Sequence, residues 1–161
     1  MRKNKAPEPV YWAVTRQNLS DLVQAISDGN SIEVCDREGR TPLFYAVHNA
    51  DTPIVNALIE NGAVVNMQDR NGETPLHVAA RKQCLDIVDI LIRNGAKIDA
   101  QDVHGNTPLT RAVYYSRGSG DVIKSLLSAG ADKTLKNNHG VSPEGLARMG
   151  ANFDMNLLHF S

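Results

Sequence analysis

The sequence predicts an all-α repeat solenoid of about five helix-turn-helix units. The tripeptide Thr-Pro-Leu begins at Thr41, Thr74 and Thr107, in two equal steps of 33 residues, and Ser142 with its proline follows after 35. Two other residue types keep the same spacing: Gly29, Gly62 and Gly95, and Ala46, Ala79 and Ala112. Several residue types that recur in one register indicate a repeated structural unit rather than a coincidence of composition.

The third unit shows how each element follows from its residues. Asp69 and Gly72 are the first and fourth residues of a tight turn. Thr74 then supplies an N-cap hydroxyl, and the proline after it suits the first position of a short helix. A second helix is expected to end at Gly95, which can adopt the left-handed conformation. Apolar residues cover most of the circumference of this second helix: Leu85, Ile87, Val88, Ile90, Leu91 and Ile92.

The register also predicts the organisation of the chain. Residues 1–6 form a short N-terminal tail, and residues 7–161 form a single domain with units at approximately 7–35, 36–68, 69–101, 102–136 and 137–161. The first and last units depart most from the pattern and are expected to act as caps with a solvated outer face. Unit four is two residues longer, and the extra residues lie between its helices, near Gly118. They are either tolerated loop drift or a flexible lip beside a binding surface.

Composition excludes several classes of protein. The 161 residues carry 17 Lys and Arg against 18 Asp and Glu, a net charge of −1, so no global charge favours nucleic acid or an anionic membrane. The purely aliphatic runs are too short for a transmembrane helix, and no apolar segment follows the basic start as in a signal peptide. Cys35 and Cys84 cannot form a disulfide framework. We therefore expect a cytoplasmic protein.

Motifs for catalysis or cofactor binding are missing from the sequence. It contains no phosphate-binding loop, no dinucleotide-binding glycine motif, and neither a His-Glu-x-x-His nor a Cys-x-x-Cys pattern. His104 and His139 lie at equivalent turn tips of adjacent units, too far apart to share one metal. Asp36, Asp69 and Asp102 share one register, which assigns them to turns. The sequence predicts no enzyme, no cofactor, no metal site and no small-molecule substrate.

The segment Asp-Arg-Asn-Gly-Glu-Thr-Pro-Leu-His-Val-Ala-Ala at 69–80, with the second helix and Gly95 after it, resembles the ankyrin repeat. The resemblance covers about 7–161 and is weakest at the ends, where Glu8 replaces Thr and Glu144-Gly145 replaces Leu-His. It implies stacked helix pairs with a turn finger in each unit, and a structural hydrogen-bonding role for His77. It also implies a concave recognition surface built from the turn tips and the exposed ends of the first helices.

On this sequence that surface comprises thirteen candidate partner-binding residues, which we call the recognition strip. They are Trp12, Arg16, Arg37, Arg40, His48, Arg70, Asn71, Arg81, Lys82, His104, Arg111, Tyr114 and Tyr115. The strip contains seven cations, and the anions expected on the same surface are Glu38 and Glu73, so the rest of the chain is acidic. Arg, Tyr and Trp are enriched at interface hot spots, and a basic face favours a partner with an acidic surface.

The leading hypothesis is non-enzymatic protein binding by a stoichiometric inhibitor that masks an acidic partner surface. The segment 137–147 is also similar to small bacterial ankyrin proteins that act as immunity proteins against a cognate toxin, which refines the same hypothesis. We expect the repeats to fill the chain and leave no second module. The alternative is a cytosolic adaptor that bridges two proteins. Nucleic-acid binding is disfavoured because Glu38 and Glu73 would face phosphates, and membrane binding is not expected.

Overall fold

The computed structural model describes residues 9–116, 119–150 and 156. Regular structure within these residues consists of nine α-helices and no strand. The helices are α1 Pro9–Thr15, α2 Leu19–Ser27, α3 Pro42–His48, α4 Thr52–Glu60, α5 Pro75–Lys82, α6 Leu85–Arg93, α7 Pro108–Tyr115, α8 Asp121–Ser128 and α9 Pro143–Met149. The predicted all-α repeat solenoid is confirmed, and the helices are consistent with about five units. The tail 1–6 and the aromatic C-terminal end lie outside the described residues, so the unit boundaries remain predictions.

The helices form two layers. The first helices of the units, α1, α3, α5, α7 and α9, each contact the next one and form the inner layer. The outer layer is α2, α4, α6 and α8, which contact one another in the same order. The register alanines Ala46, Ala79 and Ala112 are completely buried in the inner layer, where a larger side chain would separate adjacent helices.

The core lies between the two layers. Val88 and Leu91 of α6 have no exposed surface, and Ile87 and Ile90 are 1% and 7% exposed. The expectation that the second helix of unit three is buried on most of its circumference is therefore confirmed. The helix ends before Gly95, whose φ of 81° is in the left-handed region, as predicted.

The turn fingers are held by their aspartates. In unit three Oδ1 of Asp69 accepts hydrogen bonds from the backbone N–H groups of Asn71 at 2.8 Å and Glu73 at 2.9 Å. Asp36 and Asp102 make the same two bonds in their units. A catalytic use of these carboxylates is therefore unnecessary to explain their recurrence.

Backbone hydrogen bonds connect each finger to the next. The N–H of Arg70 donates to the carbonyl of Glu38 at 2.8 Å, and the N–H of Val103 donates to the carbonyl of Asn71 at 2.9 Å. Asn138 continues the ladder by donating to the carbonyl of His104 at 2.9 Å. The fingers are thus fixed relative to one another, although they form no β-sheet within the described ranges.

His77 joins two units. Its Nδ1 accepts a hydrogen bond from the backbone N–H of Thr74 at 3.1 Å, which leaves Nε2 to donate to the carbonyl of Asn106 at 3.0 Å. The ring is completely buried, and burial lowers the pKa of His77, so the imidazole is neutral. The predicted structural role of this histidine is confirmed. In unit two Phe44 stands at this position, and the buried hydroxyl of Thr41 has no hydrogen-bond partner among the described residues.

The longer connection of unit four lies where the sequence predicts it. Residues 116–120 separate α7 from α8, whereas only residues 83–84 separate α5 from α6. Arg117 and Gly118 lie outside the described residues, so the flexible lip remains a prediction. No helix in the described part of the chain is both long enough and apolar enough to span a lipid bilayer.

Candidate functional site

The recognition strip follows the finger tips and the C-terminal ends of the inner helices. Four of its members are finger residues: Arg37, Arg70, Asn71 and His104 are all exposed. At the ends of the inner helices lie His48, Lys82, Tyr114 and Tyr115, which are also exposed. The strip therefore consists of side chains presented by elements that the repeat scaffold already holds in position.

Two arginines of the strip are neutralised within the molecule. Nη1 of Arg81 lies 3.1 Å from both carboxylate oxygens of Glu73. Nη2 of Arg111 lies 3.1 Å from Oε1 of Glu73 and 2.6 Å from Oδ2 of Asp102. The carboxylate side chains of Glu73 and Asp102 are only 9% and 1% exposed. These four residues form one ion-pair network in which each charge has an opposite neighbour.

This network corrects the interpretation of Glu73 as an exposed anion of the surface. Its side chain lies beneath Arg81 and Arg111 because a carboxylate at this depth requires cationic partners. Asp102 is the second carboxylate of the network, paired with Arg111. Burial acts to raise the pKa of Asp102, but hydrogen bonds from the backbone N–H groups of Asn106 and His104, together with the charge of Arg111, lower it overall. The turn carboxylates thus reduce the positive excess that a count of the finger and helix positions predicts.

A third cation of the strip is paired in unit two. Nε of Arg40 lies 3.0 Å from Oδ2 of Asp36, and the hydroxyl of Tyr45 donates to the same oxygen at 2.5 Å. The guanidinium of Arg40 also lies 5.3 Å from the centre of the Tyr45 ring. Burial raises the pKa of Tyr45, and the hydrogen bond to Asp36 raises it further. Tyr45 therefore remains a neutral donor.

Three further cations of the strip lack carboxylate partners. Arg37, Arg70 and Lys82 are exposed, and none of them forms an ion pair within the ranges that the structure describes. Burial lowers the pKa of the neighbouring His48, and the positive charges of Lys82, Arg81 and Arg40 lower it further. These neighbouring cations thus disfavour a protonated imidazole at His48.

Aromatic side chains lie towards both ends of the strip. Tyr114 is 68% exposed, and its ring lies edge-on to that of Tyr115 with the centres 4.9 Å apart. Trp12 is 45% exposed, and the guanidinium of Arg16 lies 5.2 Å from its ring centre. Exposed aromatic rings next to cations are typical of interface anchors.

A cavity of about 290 Å³ lies between units two and three on the inner face. It brings together four members of the strip and five other residues, of which the sequence assigned Asp69 to a turn and Glu73 to the same surface and did not single out the remaining three. They are Arg40, His48, Asn71 and Arg81 from the strip, and Phe44, Tyr45, Asp69, Glu73 and Val78. A comparison of the units could have indicated the cavity, because unit three carries the small Val78 where the adjacent units carry Tyr45 and Arg111. Trp12 and Arg16 line a separate depression between α1 and α2.

Both cysteine thiols have a raised pKa, which disfavours the reactive thiolate. Burial raises the pKa of Cys35, with Glu33 and Asp36 adding to the effect, and burial likewise raises the pKa of Cys84. Groups of three or more His, Cys, Asp or Glu able to hold a metal ion are not found in the part of the chain that is described.

The sequence matches models of a known repeat family over most of its length. A family model described as ankyrin repeats in three copies matches residues 10–102, and a model of a single ankyrin repeat matches residues 104–138. No curated protein matches the chain. The matched residues contain the helix pairs from α1 to α8 and the fingers between them. Ankyrin repeats are scaffolds for protein–protein interaction rather than enzymatic folds. The chain belongs to the ankyrin repeat family.

Proposed function

We propose that this ankyrin protein binds an acidic segment of a protein partner along the recognition strip, without catalysis, and acts by covering that segment. Masking of this kind is the action of a stoichiometric inhibitor or of an immunity protein that blocks a cognate toxin. A reducing cytoplasmic setting suits its free cysteines, Cys35 and Cys84.

The observation that carries the proposal is the division of six of the seven strip cations into two groups; the seventh, Arg16, lies at the ring of Trp12. Arg40, Arg81 and Arg111 are bound to carboxylates of the same face. Arg37, Arg70 and Lys82 project from successive fingers and from the end of α5 without such partners. A partner carboxylate that approaches these three cations gains charge-assisted hydrogen bonds without first breaking an internal pair.

The rigidity of the face supports a masking role. Each finger is held by its aspartate and joined to the next finger by a backbone hydrogen bond. Side-chain bonds add further connections, since Nε2 of Gln83 donates to the carbonyl of Ala112 at 3.0 Å. A face that is already ordered loses little conformational entropy on binding, which favours a tight complex.

The test uses a defined probe, the acidic peptide acetyl-Glu-Asp-Glu-Tyr-Glu-Asp-Glu-amide, titrated into the protein and followed by NMR chemical-shift changes. The test variant reverses three charges of the strip: Arg37→Glu, Arg70→Glu and Lys82→Glu. The matched control reverses three exposed cations elsewhere: Arg93→Glu, Lys97→Glu and Lys136→Glu. Both variants have the same net charge, so a difference between them reports position rather than overall charge.

We expect the peptide to shift resonances of the fingers and the ends of α3 and α5, with an affinity that falls as salt is added. Binding should be lost in the strip variant and retained, though weaker, in the control variant. Equal loss in both variants, or shifts confined to the outer helices, would refute the proposal. Stronger binding of a short thymidine oligonucleotide at equal charge would indicate nucleic-acid recognition instead. Once a natural partner is captured, a 1:1 complex supports masking, whereas two partners bound together indicate an adaptor.

A further inference from the structure

In units two and four the residue nine positions after the turn aspartate donates to that aspartate's second carboxylate oxygen, beside a donor four positions after it, Arg40 at 3.0 Å and Asn106 at 3.4 Å. In unit two the residue is Tyr45, whose hydroxyl donates to Oδ2 of Asp36. In unit four it is Arg111, whose guanidinium donates to Oδ2 of Asp102 at 2.6 Å. In both units Oδ1 holds the turn and Oδ2 receives a side-chain donor from the inner helix.

Unit three lacks this donor. Val78 occupies the equivalent position, nine residues after Asp69, and it has no polar group. Oδ1 of Asp69 holds the turn as in the other units, but Oδ2 receives no hydrogen bond from any described residue. Asp69 and Val78 both line the cavity between units two and three. The cavity therefore lies beside the position at which the adjacent units carry larger side chains.

The charges around the cavity indicate which group fits. Two cations, Arg40 and Arg81, and two carboxylates, Asp69 and Glu73, line it, so their formal charges cancel. An entering carboxylate would face Asp69, and an entering ammonium or guanidinium would face two arginines. A neutral group with one hydrogen-bond donor avoids both repulsions and satisfies Oδ2 of Asp69.

The shape and apolar lining favour an aromatic ring. Phe44 and Val78 are the apolar members of the lining, and the arginines can lie against a ring face as Arg40 lies against Tyr45. The volume of about 290 Å³ is at the lower end of the range for ligand pockets, which suits one side chain rather than a larger molecule.

We infer that this cavity receives a tyrosine side chain of the partner, whose hydroxyl donates to Oδ2 of Asp69 as Tyr45 donates to Asp36. The inference rests on the proposed function, because the acidic residues that flank the tyrosine are bound by the recognition strip. The inserted tyrosine is the anchor that sets the register of the acidic segment along the fingers.

The experiment compares two probes that differ by one hydroxyl group. They are the acidic peptide described above and the same peptide with phenylalanine in place of tyrosine. A hydrogen bond to a charged group predicts at least about tenfold tighter binding of the tyrosine peptide to the unaltered protein. Both peptides carry the same charge, so the ratio of their affinities reports the cavity and their common affinity reports the strip.

Two variants test whether the hydroxyl reaches Asp69. Asp69→Asn keeps the turn acceptor, since Asn137 holds the turn of unit five through its Oδ1, but it removes the second carboxylate oxygen. Val78→Tyr places inside the cavity the residue that unit two carries at this position. Val78→Tyr should reduce the tenfold preference for tyrosine to about one, and Asp69→Asn should reduce it because its amide offers the hydroxyl only an uncharged partner, whereas Val78→Ala, which leaves the cavity open, should preserve it. Circular dichroism melts establish that each variant is folded.

Each outcome decides between the proposals. Equal affinity of the two peptides for the unaltered protein overturns the tyrosine cavity and leaves the strip supported. A tyrosine preference that survives in both Asp69→Asn and Val78→Tyr places the ring elsewhere and also overturns the inference. Absence of binding by either peptide overturns the proposed function and this inference with it.

Discussion

The ion-pair network beneath the strip predicts a large loss of stability when Arg111 is replaced by Met. The substitution keeps an apolar stem but removes the cation that contacts Glu73 at 3.1 Å and Asp102 at 2.6 Å. Removal of one member of a buried pair costs about 3–5 kcal/mol because the other charge is left uncompensated. Arg111 is 23% exposed, and Glu73 retains Arg81, so we expect a smaller loss of about 2–3 kcal/mol at neutral pH.

The loss should depend on pH in a defined direction. The pKa of Asp102 is lowered in the folded protein, so its contribution to stability is present above its ordinary value, about 3.9, and is lost as pH falls through the folded value. Without Arg111 the carboxyl is protonated more readily in the folded state. The stability difference between the unaltered protein and Arg111→Met should therefore be largest near pH 7 and should shrink below about pH 4.

Thermal melts followed by circular dichroism between pH 3 and 7 would measure this difference. A loss of 2–3 kcal/mol corresponds to a decrease in Tm of roughly 4–12 °C for a chain of this size. The matched control is Arg40→Met, because Arg40 is 41% exposed and should cost at most about 1 kcal/mol. Equal losses for the two variants, or a difference that does not change with pH, would refute the view that the Arg111 network is buried and interdependent.

Further predictions concern the scaffold. Leu91→Ala should destabilise the protein by about 2–5 kcal/mol and Val88→Ala by less, as measured by urea denaturation, since both side chains are fully buried; an unchanged midpoint would contradict their burial. His77 has a lowered pKa, so the stability that it contributes is present above about pH 6.5 and is lost as pH falls below that value. This loss of stability at low pH should be absent from the pH profile of His77→Gln. If the variant still loses stability below about pH 6.5, another group is responsible. Gly72→Ala should lower Tm more than Gly62→Ala, because both have positive φ but only at Gly72 would a Cβ approach backbone atoms, at 3.0 Å; equal melting temperatures would exclude this contact.

The scaffold could be predicted from the sequence because each repeated residue has a local physical role. Asp69 and Gly72 define a turn through their own side chain and backbone conformation, and Gly95 ends a helix in the same way. Such roles depend on neighbours within one unit and recur every 33 residues, so periodicity reveals them. The position of the longer connection in unit four could be predicted for the same reason.

The charge pattern of the face could not be predicted in the same way. Whether Arg81 is available to a partner depends on Glu73, eight residues earlier, and whether Arg111 is available depends on the depth of Asp102. Those contacts form across the finger and between adjacent units. The spacing of the repeats locates each residue along the chain, but it does not show which side chains are close enough to pair. A count of charges therefore treated seven cations as equivalent, although three of them are held in internal pairs.

The paired and unpaired cations have complementary consequences for binding. An arginine fixed by two carboxylates, such as Arg111, has already lost its side-chain freedom during folding. It therefore presents a rigid, nearly neutral surface to a partner rather than an attractive charge. An exposed cation such as Arg70 keeps its freedom and acts at a distance, which accelerates encounter with an acidic surface. Two of the paired arginines, Arg40 and Arg81, line the cavity beside Asp69, whereas Arg37, Arg70 and Lys82 do not. On this arrangement, substitutions of the exposed cations should change mainly the association rate, and substitutions that fill the cavity should change mainly the dissociation rate.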